Sequence, residues 1–123
     1  MKTEIWRILV PAENDLGDEY PVEYHEVWDV FVRRVTGGVT IMKSAKGQWV
    51  SPTGKLYAEK MIPCEIMCNR EQMQEIIDFT IVYYAQEAVL AYKVSDEVIM
   101  YSNKINLEKD NFWKVIYRKV FKK

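Results

Sequence analysis

The chain predicts an α+β fold in which one sheet carries two helices on a single face. Three observations point there. Stretches of period-two alternation are interleaved with stretches of helical spacing, in the order β-α-β-β-α-β-β. Two apolar stripes, Tyr24/Val27/Trp28/Phe31/Val35 and Met73/Ile76/Ile77/Thr80/Tyr84, recur at i, i+3, i+4, i+7 and i+11 and must each be buried against something. Finally, 123 residues with 49% hydrophobic and 28% charged side chains suffice for one domain with a core of its own.

Lys2 to Val10 reads as the first strand. Trp6, Ile8 and Val10 form a wholly apolar face, and Pro11 ends the run. A polar loop to Tyr20 leads to Pro21, which suits a helix start because it has no amide hydrogen to leave unpaired. The helix runs to about Val35. Arg33 and Arg34 sit where cations favour the dipole, and Gly37-Gly38 supplies the left-handed stop. Val39 to Ser44 is the second strand, with a turn at Lys46-Gly47. Residues 47–51 form a short strand closed by Pro52-Thr53-Gly54. Leu56 to Met67 is a long strand in which Pro63 implies an edge or a bulge. Asn69 and Gln72 have capping-box spacing ahead of a second helix to about Tyr84. Ala88–Val94 and Glu97–Tyr101 read as a hairpin about Ser95-Asp96, and Asp110 to Phe121 has helical spacing.

This order describes the ferredoxin-like split βαβ sandwich. Residues 1–103 form the expected domain. Residues 104–123 form a basic amphipathic extension, anchored by Trp113, Ile116 and Val120 and capped by Asp110. The alternatives are another two-layer α+β topology, or a last segment that pairs as a strand.

Several classes are disfavoured on composition and spacing. No apolar run reaches the ~18 residues of a membrane span. Residues 1–7 lack a signal peptide's apolar stretch, so a cytoplasmic location is expected. A net charge of −1 calls for no polyanion as a whole. Cys64 and Cys68, four apart on a strand, lie ~13 Å from each other and cannot bridge. With His25 they make a weak metal set, so no metal and no cofactor is expected. His25 falls off the apolar stripe of its helix and reads as exposed, with no partner that would frame it as a catalytic base. Ser51-Pro52-Thr53-Gly54-Lys55 fails as a phosphate loop, because Leu56 stands where Ser or Thr must reach magnesium.

One set of motifs is more particular. Gly37-Gly38-Val39-Thr40 is followed by Lys46-Gly47-Gln48-Trp49, by Pro52-Thr53-Gly54-Lys55-Leu56-Tyr57-Ala58-Glu59, by Ile62 to Met67, and by Gln86-Glu87-Ala88-Val89. This resembles a group of small bacterial and phage proteins that share a G-x-W hairpin, an acidic residue five positions beyond the next glycine, and a GQEAV-type segment. The match spans about two-thirds of the chain. Ala85 stands where that group has glycine. The resemblance implies a ferredoxin-like fold and no activity.

The candidate binding residues follow from chemistry and placement. Trp49, Tyr57, Tyr92 and Tyr101 combine apolar rings with polar tips on predicted strands, the type of residue favoured where a surface meets a partner. Tyr83 and Tyr84 add to that surplus. Lys55, Glu59 and Gln86 lie in the quoted motifs, and Glu59 shares a strand face with Tyr57 and Glu65. Trp113 lies in the tail, where residues 104–123 hold seven Lys or Arg against two acids. Residues 1–29 hold eight acids against Lys2 and Arg7. The tail therefore reads as a packed helix, a docking helix or a nucleic-acid grip. The function expected is that of a small, phage-encoded, non-catalytic binding module that self-associates through its sheet and sequesters a small ligand or a host protein. The alternatives are a small enzyme using acidic and tyrosine side chains, and nucleic-acid binding through the tail.

Overall fold

A computed structural model describes residues 3–100, 114 and 116–121. Strand β1 (Glu4–Pro11) leads to helix α1 (Val22–Thr36). Strands β2 (Thr40–Ile41), β3 (Ala45–Val50) and β4 (Leu56–Cys68) follow, then helix α2 (Arg70–Tyr83) and strand β5 (Ala91–Ser95). The strands form one antiparallel sheet ordered β2-β4-β1-β5, with β3 also paired to β4.

The core forms because β1 and β4 alternate in register. Trp6, Ile8 and Val10 lie beside Ile66, Cys64 and Ile62. These side chains meet Trp28 and Val32 of α1 and Met73 and Ile76 of α2. Ile8, Val32 and Ile76 have no exposed surface at all. The opposite parity, including Arg7 and Glu65, faces away from the helices.

The helix ends are set locally. Asn69 accepts from the Gln72 amide at 2.8 Å while Gln72 Oε1 accepts from the Asn69 amide at 3.0 Å, the reciprocal pair expected from their spacing. Gly37 ends α1 at φ 94°, and its N–H reaches the Arg33 carbonyl. Ala85, just past α2, takes φ 51°, a conformation glycine adopts freely and alanine does not.

Four expectations are corrected here. The second strand stops at Ile41, and Lys46-Gly47 lies inside β3 instead of forming a turn. Pro63 is not on an edge: β4 runs between β1 and β2. The Pro63 carbonyl accepts from Met42 N–H, so its missing N–H also points to that side, where β2 has ended and β3 has not begun. The second arm of the late hairpin is not a strand over residues 97–100; Ser95 Oγ caps a turn there by bonding Glu97. In the tail, residues 114 and 116–121 are helical, but Val120 is 66% exposed and is no buried anchor. Asp110 and Trp113 lie outside the described residues.

Candidate functional site

The expected site residues separate into three places. The first is the arm formed by β3 and β4, which continues past the end of β1. Ser51 to Lys55 closes it as a turn, with Gly54 at φ 88°. Trp49 and Tyr57 are direct cross-strand partners on this arm. Their rings stack at 4.6 Å with 13° between planes, and the Lys55 ammonium lies 4.9 Å from the centre of the Tyr57 ring. Trp49 remains 48% exposed. Two flat rings held parallel on a hydrogen-bonded hairpin make a stacking surface that costs little ordering to use. Glu59, two residues beyond Tyr57, lines a cleft of 390 Å³ at the base of the arm.

The second place is the open face of the sheet. Arg7 donates through Nε and Nη2 to Glu65, and through Nη1 to the Tyr92 hydroxyl at 3.1 Å. Glu65 and Tyr92 flank Arg7 because they are its register partners in β4 and β5. The Glu65 hydrogen bond, and then the one to Tyr92, holds the Arg7 guanidinium above its ordinary basicity. Tyr92 thus presents a hydroxyl whose own proton is free to donate. Tyr101 and Trp113 lie outside the described residues.

The third place is a ring cluster between the helices, built on the two apolar stripes and joined by His25. Tyr83 and Tyr84 lie at the end of α2, as its apolar stripe predicts. Tyr24 and Tyr83 stack at 4.2 Å and exchange hydroxyl bonds to each other's carbonyls. Tyr20 donates to the Tyr84 carbonyl, which also accepts from Gln86 Nε2 at 3.1 Å. Gln86 therefore sits at the end of α2 with its amide engaged by main chain. His25 corrects the expectation of an exposed side chain: it is half-buried, with Nδ1 2.6 Å from the Tyr84 hydroxyl. Burial lowers its pKa, against an opposing pull from Asp29. The signal in the sequence was its place one turn before Asp29 and beside Tyr24, read only as lying off the stripe.

Both cysteines are buried and free. Burial pushes Cys64 up to about 12 and Cys68 to about 11, so neither is a thiolate at neutral pH. Among the described residues no three His, Cys, Asp or Glu side chains gather as a metal set, and no helix is long and apolar enough to cross a membrane.

Comparison with known proteins places this architecture among solved structures. A phage SAM lyase in complex with S-methyl-5'-thioadenosine is similar over 87% of this chain and 92% of its own, with a TM-score of 0.61 at 16% identity. CutA1 from Oryza sativa is similar over 84% of both chains, with a TM-score of 0.56 at 10% identity. The periplasmic divalent cation tolerance protein CutA from Archaeoglobus fulgidus is similar over 90% of this chain and 93% of its own, at 0.54 and 13%. At such identities the likeness is one of fold. No family model and no curated protein matches the sequence.

Proposed function

We propose that the chain is a ferredoxin-like binding protein for a small nucleoside-type ligand, assembled from more than one copy through its open sheet face. The observation that carries this reading is the stacked Trp49–Tyr57 pair, half exposed on a rigid arm with Lys55 beside it. A purine ring matches such a platform because every base offers a flat π-face, and stacking of this kind contributes ~1–3 kcal/mol. The likeness to a phage protein holding S-methyl-5'-thioadenosine supports the choice of an adenine nucleoside. Tyr92 and Val94, exposed on the open-face parity of β5, support self-association, since two helices cover only one face of the sheet.

A second reading is catalytic: cleavage of SAM. It is favoured by the coverage of the lyase comparison and by a phenol and a carboxylate, Tyr57 and Glu59, two residues apart on one strand. The binding reading is tested by titrating S-methyl-5'-thioadenosine while following Trp fluorescence. Saturable quenching that is lost in Trp49→Ala is the result expected; no change up to millimolar ligand overturns it. Incubation with SAM, followed by chromatography for the released thioether, decides between binding alone and cleavage.

A further inference from the structure

Charge is divided along the chain. Residues 1–29 hold eight acids against Lys2 and Arg7, residues 30–103 balance eight acids with eight Lys or Arg, and residues 104–123 hold seven Lys or Arg against two acids. Two exposed helix faces present these opposite charges. On α1, Val22 and Glu26 are four residues apart, as are Glu23 and Val27, so the four side chains form one patch. The patch is exposed and points away from the buried Trp28 and Val32. Near the other terminus, residues 116–121 are helical. Tyr117, Val120 and Phe121 form a stripe there that is 63–66% exposed, and the Tyr117 and Phe121 rings meet at 4.5 Å. Arg118 and Lys119 flank this stripe. Neither face is answered by its own chain. The ion pairs among the described residues are Arg7–Glu65, Lys60–Glu19 and Lys93–Glu4, so Glu23, Glu26, Arg118 and Lys119 have none. Glu23 and Glu26, three residues apart on one helix, also repel each other.

We propose that the C-terminal helix of one copy docks on the α1 patch of a second copy, with its ring stripe against Val22 and Val27 and with Arg118 and Lys119 against Glu23 and Glu26. The two faces are opposite in charge, and each sets apolar side chains beside charged ones, so they complement each other in both respects. A polyanion also suits Arg118 and Lys119, but it leaves the acids and the exposed valines of α1 unanswered. The contact lies between copies because the stripe is uncovered on its own chain and its two cations reach no acid there. It is a head-to-tail contact, in which two different surfaces meet, and such contacts close into rings or extend into chains. It uses neither the open sheet face nor the arm, and so is independent of the nucleoside reading.

Two full-length variants test the contact: Glu23→Lys/Glu26→Lys and Arg118→Glu/Lys119→Glu. Each sets like charges against its own kind at the contact, which opposes binding. Mixed together, the two are complementary again. With one partner fluorescently labelled, anisotropy should show the mixed pair binding about tenfold or more tightly than either variant binds itself. Association through the open sheet face is common to every pairing and cancels from that ratio. Raising salt from about 0.1 M to about 1 M should remove most of the difference, since the Debye length falls from ~10 Å to ~3 Å. Thermal melts check that both variants fold. Equal affinities in the mixed and the self pairings overturn the contact. If the mixed pair does not bind, and all four substitutions in one chain restore a melting temperature that each pair lowers, the helix docks on its own domain and the second copy is overturned. Equal pairings, with binding of a short single-stranded DNA that is lost in Arg118→Glu/Lys119→Glu, overturn the proposal in favour of a nucleic-acid grip.

Discussion

Thr80→Val tests how the two helices are locked together. Trp28 is 1% exposed and Thr80 is fully buried. The indole Nε1–H donates to Thr80 Oγ1 at 2.9 Å, and that hydroxyl donates in turn to the Ile76 carbonyl. Valine keeps the volume of threonine but removes the acceptor. The indole N–H is then left buried without a partner, at a cost of about 1–3 kcal/mol. For a domain of this size that lowers the melting temperature by roughly 4–12 °C. The Ile76 carbonyl keeps its helical role, so little of the loss comes from there.

A double-mutant cycle separates this from a packing effect. Trp28→Phe removes the donor at the cost of a partial cavity. In the Trp28→Phe/Thr80→Val chain no donor is stranded, so the two losses should fall short of additivity by about 1 kcal/mol or more. Urea unfolding followed by far-UV circular dichroism is the suitable assay, because it does not depend on Trp28 fluorescence. The slope with denaturant should remain constant across the four chains. Additivity within ~0.3 kcal/mol would refute the reasoning, since it would mean the indole and the hydroxyl do not share a bond.

Three further outcomes are expected. Asn69→Ala removes one half of the reciprocal cap of α2 and should cost about 1 kcal/mol in urea unfolding, whereas Asn69→Asp should restore most of it. Ala85→Gly should be neutral or stabilising by up to ~1 kcal/mol, because relief at φ 51° opposes the greater freedom of glycine in the unfolded chain; a clear loss of melting temperature would count against the conformation described. His25 has a depressed pKa through burial, so its contribution is present above its ordinary value of 6.5 and is lost as pH falls below it. Asp29 is raised by burial and acts in the opposite sense, gaining stability only as it protonates at lower pH. His25→Gln should flatten the stability profile between neutral pH and pH 5, and an unchanged slope would sink this account.

The two layers were legible because their signals are local. Trp6, Ile8 and Val10 alternate without exception, Met73, Ile76 and Thr80 keep helical spacing, and Asn69 with Gln72 marks a cap by position alone. The break between β2 and β3 was hidden because its cause lies in another strand. Pro63 withdraws a donor on the side where Met42 would pair, and nothing near Met42 announces that. The hairpin that holds Trp49 and Tyr57 was legible from Gly47 and Gly54 about its first arm, whereas the stacking of the two rings depends on the register that the turn fixes. His25 was misplaced because its partner, Tyr84, lies 59 residues away and approaches only when α1 and α2 pack side by side. Tyr84, by contrast, was legible from its place on the apolar stripe of α2 and is buried there.

The division of polar groups between the two faces also constrains where function sits. Between the helices, the tyrosine hydroxyls and the His25 nitrogen are spent on one another and on main-chain carbonyls, and no buried side-chain polar atom among the described residues lacks a partner. A cluster so satisfied contributes rigidity and has little capacity left for a ligand. Groups with spare capacity lie elsewhere, among them the exposed side of Trp49 on the arm and the Tyr92 hydroxyl proton on the open face. These belong to the part of the sheet that the helices do not cover. A second copy laid on the open face would bring its own Arg7, Glu65 and Tyr92 toward this network while leaving the arm free at its end. The proposed self-association and the proposed ligand binding would then be coupled through β4, which supplies Glu65 to the assembly surface and Tyr57 to the arm. Glu65→Ala should therefore weaken assembly by light scattering and, at protein concentrations near the assembly midpoint, lower apparent ligand affinity as well. If assembly weakens and affinity stays constant across that concentration range, the two surfaces are independent and this coupling is wrong.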